Sequence, residues 1–224
     1  MRKRGDGTTI GRWIRGVAFT GLVACGLVAI PAIASAQVEV TGVIGGMLGG
    51  DLDNIIANQD ISVKGAFDNG PLYGVRVGWI HGFVGAEGSF VYSPTGVSIS
   101  VPTTKIEVDA STKYYEANFL LIPIPGPVSP FFTIGAGWHS YDFDLTGLTS
   151  TTIADLTIEK AGWNIGGGIK INIKGLTLRG DIKDHITKIG PEDFRIADIA
   201  DELGITNETN LHNVEISGGV GIRF

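Results

Sequence analysis

The residues able to do chemistry are few and scattered. The four histidines are His81, His139, His185 and His212, and no two stand at a spacing that pairs them on one element. His139 is followed by Ser140, but successive side chains on a strand point to opposite faces, so imidazole and hydroxyl do not meet; Tyr141 shares the face of His139. Asp51 and Asp53 could offer oxygens to a calcium ion, yet no complete ligand spacing follows them. No nucleophile–base pair, cofactor motif or metal-ligand set emerges, and the expectation is no catalytic, cofactor or metal residue. What recurs instead is a long charged side chain at strand spacing within glycine-rich apolar stretches: Arg76, Glu87, Glu116, Lys170, Arg179, Asp181, Glu215 and Arg223. The chemistry those residues offer is ion pairing in a confined space.

The elements that carry them alternate. Backwards from the carboxyl terminus, Phe224, Ile222, Val220, Gly218, Ile216 and Val214 share one register, while Arg223, Gly221, Gly219, Ser217, Glu215 and Asn213 share the other. One face is apolar and the other small or charged, as in a strand between two unlike environments. Eight such segments are expected, at 38–50, 72–80, 83–92, 113–122, 131–141, 163–173, 176–183 and 212–224, the first only weakly patterned. Each is near the ~9–11 residues that a tilted strand needs to cross a bilayer. Three connections are short: His81-Gly82, residues 123–130 and Lys174-Gly175. Four are long: residues 51–71, 93–112, 142–162 and 184–211.

The chain opens with Arg2, Lys3, Arg4, Arg12 and Arg15, then an apolar run to Ile33 and the small-residue site Ala34-Ser35-Ala36. Residues 1–36 therefore read as a secretory signal cut after Ala36, leaving 37–224 as one domain. Cys25, in Leu22-Val23-Ala24-Cys25, resembles a lipidation site, but the chain stays apolar beyond it, which favours cleavage after Ala36. Five of the 17 basic residues and one of the 23 acidic residues fall in the signal, leaving 12 against 22 and a net charge of −10. That charge argues against a nucleic-acid partner. The excess is not spread evenly: six basic and five acidic residues lie in the segments and short turns, six and seventeen in the long loops with Lys113.

Periodicity alone does not say which face is inside, and a soluble barrel with its apolar residues inward would alternate in the same way. The export signal, the long and short connections, the terminal Phe224 and the aromatic residues decide together for the membrane. Tyr73, Tyr92, Tyr115, Trp138 and Trp163 fall at the long-loop end of the apolar face, and Trp79, Phe132 and Phe224 at the short-turn end, forming two girdles. On these residues the chain resembles the small outer-membrane β-barrels of Gram-negative bacteria, the OmpA/OmpX type, across residues 37–224. The resemblance implies an all-β, eight-stranded antiparallel up-and-down transmembrane β-barrel with long extracellular loops and short periplasmic turns. It also implies outer-membrane lipid and lipopolysaccharide around the barrel, and an assembly machinery that reads Phe224. Unlike OmpA itself, no peptidoglycan-binding domain is expected after the barrel. Lipid A deacylases, also small barrels, carry His-x-Ser on one face; His139 with Tyr141 departs from that pattern.

The expected function is non-enzymatic, an adhesin-like or protective envelope role through the loops, possible partners being host or surface proteins. The rivals are a narrow porin-like channel and a lipid-modifying enzyme. A His81-Gly82 turn sets Arg76 opposite Glu87 and Trp79 opposite Val84. A Lys174-Gly175 turn sets Lys170 opposite Arg179 and Gly168 opposite Asp181, so that two facing cations need an acid, with Asp181 and Glu215 as candidates. Of the histidines, His139 alone is expected inside, with His185 and His212 near the outer rim. Alternation continues in the loops through Val97, Ile99, Val101, Ile106 and Val108, and through Phe143, Leu145, Ile153, Leu156 and Ile158, so a protruding sheet is expected. Residues 191–203 read as a short amphipathic helix.

Overall fold

The computed structural model describes residues 37–50, 64–101, 104–144, 156–190 and 209–224. The expected signal segment 1–36 with Cys25, the Asp51 and Asp53 pair, Leu145, Ile153 and the 191–203 helix lie outside the described residues. All regular structure among the described residues is strand: β1 Gln37–Leu48, β2 Lys64–Phe67, β3 Gly70–His81, β4 Val84–Val101, β5 Thr104–Leu121, β6 Val128–Asp144, β7 Leu156–Ile173, β8 Leu176–Ile189 and β9 Thr209–Arg223. Every pairing is antiparallel, β1 pairs with both β3 and β9, and β4 pairs with β5, so the sheet closes on itself. β2 continues the line of β3 beyond Asp68-Asn69 and pairs with the upper part of β4, which leaves an eight-stranded barrel. Closure matters physically because it leaves no unpaired edge within the ring.

The barrel is inside-out relative to a soluble one. Phe132, Trp138 and Ile182 point outward, each more than 60% exposed, whereas Arg76, Lys170 and Glu215 point inward at 1% or less. The polar register of each segment thus lines the lumen, which is the choice of side that periodicity left open. Three apolar groups cap and interrupt that polar interior. Ile80, Leu120, Ile122 and Phe131 pack together at the short-turn end. Val43, Met47, Leu72, Val91 and Tyr114 form a second group. Phe67, Val97, Ala110, Tyr141, Ile158, Ile189 and Leu211 form a third at the long-loop end. The weak pattern of the first segment follows from this layering: Glu39 and Thr41 join the polar layer of the lumen, while Val43 and Met47 on the same face join an apolar one.

Two turns decide the register. Lys174 and Gly175 both have positive φ, 46° and 87°, the type I′ geometry that suits a two-residue hairpin, and Ile173 pairs with Leu176 as expected. The other turn differs from expectation. It is Gly82-Phe83, with His81 paired to Val84, rather than His81-Gly82. Gly82 has φ 59° and occupies the first central position, where a type II′ turn requires a residue without a Cβ penalty; the alternative would have placed His81 there. The register therefore moves by two residues: Arg76 pairs with Ser89, Gly78 with Glu87 and Trp79 with Ala86, not with Glu87 and Val84 as expected. A shift of two preserves the faces, so every side chain keeps its side of the sheet.

The strands also run beyond their expected ends. β4 and β5 continue as a hairpin from Ser93 opposite Thr112 up to Val101 opposite Thr104. β6 and β7 continue to Phe143 opposite Leu156. β8 reaches Ile189, six residues past the expected boundary, because above the membrane the inward face turns apolar at Ile189 and Leu211 and the alternation inverts.

The outward face makes a direct prediction. Ile182 pairs with Gly167 and Ile216 on its two sides, and it stands outward between the two ends of the barrel. Ile182→Arg should destabilise the barrel by about 2–4 kcal/mol in lipid vesicles, as read by urea unfolding. A change near zero would mean that this face meets water.

Candidate functional site

The lumen holds the only concentration of charge that the fold creates among the described residues. All eight charged residues expected inside are there: seven are buried, and Arg223 lies at the short-turn rim with its side chain 18% exposed. Arg179 is held by Asp181 two positions along the same face, with Nη2 to Oδ1 at 2.6 Å and Nε to Oδ2 at 2.8 Å. Its Nη1 reaches Glu87 across the lumen at 2.5 Å. Arg76, expected to face Glu87, instead meets Asp181 at 2.8 Å and Glu215. The two-residue shift at the Gly82 turn produces this exchange of partners. Beneath the cations lies the Phe131 ring, 5.6 Å from Lys170 Nζ and 5.0 Å from the Arg179 guanidinium carbon.

Lys170 and Arg179 do face each other. Of the two acids expected to relieve them, Asp181 serves Arg179, but Glu215 serves Arg76. Lys170 is answered by Glu39 at 2.9 Å, a residue outside the expected network. Glu39 also accepts bonds from Thr41 and Thr177, both 3.1 Å, and from Arg223 at 3.3 Å. It was hidden in the weakly patterned first segment, although Glu39 and Thr41 alternate with Val38 and Val40, which would have placed it inward. Lys183 was on the expected polar face but not in the network; it stands 3.6 Å from Glu116.

His185 requires the clearest correction. It is not at the rim but fully buried in the lumen. It sits two positions beyond Lys183 in the inward register 177, 179, 181, 183, and extending that alternation past the expected end of the strand would have found it. Its Nδ1 lies 2.7 Å from Glu116 Oε1 and its Nε2 lies 3.1 Å from Glu215 Oε2. His139 is inside as expected. Its Nε2 lies 3.2 Å from the same Glu116 oxygen, and its Nδ1 lies 2.5 Å from Thr187 Oγ1. Tyr114 stacks on the His185 ring at 4.3 Å, and Tyr141 bonds Thr187 at 2.6 Å. His212 is at the outer surface, 2.8 Å from Asp184.

Space for these side chains comes from glycine. A Cβ at Gly162 would lie 2.3 Å from the His139 ring, and one at Gly135 would lie 2.0 Å from the Asn118 amide oxygen. Either substitution would have to displace the polar network.

Thr187, His139 and Glu116 stand in the order hydroxyl, imidazole, carboxylate. All three are buried, and the hydroxyl is shared with Tyr141, so no bulky substrate approaches it. Ser140 points to the other face from His139. Outside the lumen, Lys113 and Asp142 pair at 2.6 Å at the base of the protruding strands. The hydrogen bond to Asp142 raises the Lys113 pKa. Burial pushes the Asp142 carboxyl up, but its bonds from Lys113 and Thr157 outweigh that and hold it below its ordinary value.

The eight aromatic residues expected in the girdles all face outward. Tyr73, Tyr115, Phe132, Trp138, Trp163 and Phe224 are exposed, and Trp79 and Tyr92 are half-buried. Tyr73 pairs with Tyr92, and Tyr115 with Trp138, directly across neighbouring strands.

The family model for the outer membrane protein beta-barrel domain matches residues 20–224. Among solved structures, Neisserial surface protein A (NspA) superposes with a TM-score of 0.54 at 13% identity, covering 84% of this chain and 97% of its own. The outer membrane protein OprG from Pseudomonas aeruginosa gives 0.55 at 14% identity, covering 85% and 96%. At such identities the likeness is one of fold. No curated protein matches the sequence.

The network predicts an asymmetry. Arg179→Met strands Glu87, leaves Asp181 with Arg76 alone and should cost about 3–5 kcal/mol. Adding Glu87→Gln to that variant should recover part of the loss, giving a coupling of roughly 0.5–3 kcal/mol in a double-mutant cycle. Urea unfolding followed by tryptophan fluorescence measures both quantities, and strictly additive losses would show that the pair is not coupled.

Proposed function

We propose, from the premise that the chain belongs to the outer membrane protein beta-barrel domain family, that it is a non-enzymatic envelope protein whose working surface is the sheet standing above the barrel. Residues 1–36 serve as the export signal, cut after Ala36, and Phe224 is the residue read by the assembly machinery. Lipid and lipopolysaccharide of the outer membrane surround the exposed apolar band. The two aromatic girdles mark its borders.

One observation carries the reading. The β4–β5 hairpin continues through nine rungs beyond the Tyr92 level, from Ser93–Thr112 to Val101–Thr104. At about 3.4 Å per residue that is ~30 Å of paired strand beyond the aromatic level. β2 flanks it on one side and the upper parts of β6 and β7 on the other. The apolar group from Phe67 to Leu211 packs on its inward side and stiffens it. A rigid sheet outside the membrane serves adhesion, because strand edges accept extended segments of another protein. The filled lumen disfavours a channel: ion-paired long side chains occupy its middle, and apolar groups lie toward both ends.

Two measurements test this. Replacing residues 97–108 by a two-residue turn should abolish attachment of expressing cells to host cells or surfaces, while the barrel keeps its heat-modifiable gel mobility. Unchanged attachment with an intact barrel would overturn the adhesive role. Purified protein in a planar bilayer should give no stable single-channel current, and a reproducible conductance step would restore the channel.

A further inference from the structure

The histidine layer of the lumen gathers two imidazoles around one carboxylate. Glu116 on β5, His139 on β6 and His185 on β8 offer three ligand atoms that all lie within 4.8 Å of one another. Both imidazoles converge on the same oxygen, Glu116 Oε1, at 3.2 Å from His139 Nε2 and 2.7 Å from His185 Nδ1. The other oxygen, Oε2, is turned away from them and is held by Ser89 at 3.3 Å and Lys183 at 3.6 Å. One carboxylate oxygen is thus set aside for the histidines, the disposition of a monodentate metal ligand.

The far side of each ring is anchored as well. His185 Nε2 faces Glu215 Oε2 at 3.1 Å, and His139 Nδ1 faces Thr187 Oγ1 at 2.5 Å. Metal-bound histidines commonly give their second ring N–H to a carboxylate or another oxygen, which fixes the tautomer and aims the other nitrogen's lone pair at the ion. His185 also poses a donor problem. Each of its nitrogens faces a carboxylate oxygen, but a neutral ring carries one proton, so one lone pair would meet another. A cation at Nδ1 removes the conflict, since Nε2–H then donates to Glu215 while Nδ1 and Glu116 share the ion. A second proton on the ring is the competing solution. In that case His139 Nε2–H and His185 Nδ1–H both donate to Glu116 Oε1, and metal retention is the measurement that separates the two solutions.

We propose that Glu116, His139 and His185 bind a divalent transition metal, zinc by ligand type, which ties β5, β6 and β8 together across the lumen. Two imidazoles and one carboxylate suit such an ion. Bonds of about 2.0–2.1 Å in a tetrahedron set ligand atoms about 3.3 Å apart. The His139 contact already has that spacing, and the His185 contact has to open by roughly 0.6 Å. The three protein ligands leave the fourth position to water. All three are closed off from bulk solvent, so the ion acts as a structural lock acquired while the barrel closes, not as a reaction centre. In the mature chain, which has no cysteine by the reading above, such a lock does what a disulfide would do. Gly162, whose added Cβ would strike the His139 ring, keeps the ligand's position clear.

The test uses the full mature chain, refolded from urea into detergent micelles with zinc or cobalt(II) and then passed over a chelating resin. Wild type should retain about one metal ion per barrel by elemental analysis, and the cobalt form should show visible ligand-field bands of a four-coordinate nitrogen- and oxygen-ligated ion. His139→Gln with His185→Gln should lose the retained metal, while His212→Gln, at the outer surface, keeps it. Thr187→Val, which preserves shape but removes the anchor of His139, should weaken affinity by roughly 10–100-fold. Wild type that folds without retaining metal overturns the proposal, which leaves the proton as the occupant. A folded double variant that retains as much metal as wild type overturns it too. If the double variant does not fold, the wild-type stoichiometry and the Thr187→Val affinity decide.

Discussion

An eight-stranded lumen has no room for bulk water, so every charged side chain placed inside it needs an oppositely charged side chain within reach. Five carboxylates are buried here, those of Glu39, Glu87, Glu116, Asp181 and Glu215. Four cations are buried with them: Arg76, Lys170, Arg179 and Lys183. Arg223, at the rim, supplies a fifth positive charge against Glu39. The balance is local as well as total, because each of the two buried guanidiniums, Arg76 and Arg179, touches two carboxylates. This condition makes the barrel cooperative: no strand can leave without exposing a charge on another.

Neutrality has a steric counterpart. Long side chains from one wall need small residues on the opposite or adjoining wall, which explains why inward glycines lie beside the polar layer at Gly135 and Gly162. The layers are also ordered by polarity, with apolar groups toward the two ends and ions between them. Such an order keeps water from the ion pairs, and so preserves their strength in a low-dielectric setting.

A barrel arranged in this way spends its polar chemistry on its own cohesion. What remains for the outside is the upper sheet, where alternation continues but the environment of the two faces changes. The lumen-side register becomes apolar above the membrane, and the outward register carries Asp109, Lys113 and Asp142. Lys113 and Asp142 lock neighbouring strands at that border. Stiffness at the base is what lets the paired strands continue as a sheet beyond the Tyr92 level.

The sequence by itself determined what depends on period two. The inward register of the patterned segments, the outward side of the eight aromatic residues, the Lys174-Gly175 turn, the eight expected inward charges and the protruding hairpin were legible, because alternation and turn chemistry are local. Placement of the other turn was not, since His81-Gly82 and Gly82-Phe83 each put glycine at a central position and only the strained φ of one residue separates them. The partners across the lumen were also beyond reach. Glu39 and Lys170 lie 131 residues apart and meet only because the ring closes with one particular stagger between strands. His185 was missed for a related reason: the sequence pattern inverts where the strand leaves the bilayer, and the depth at which that happens is set by the assembled barrel. Local alternation assigns a side chain to the lumen, but closure of the whole ring decides which other side chain it meets there.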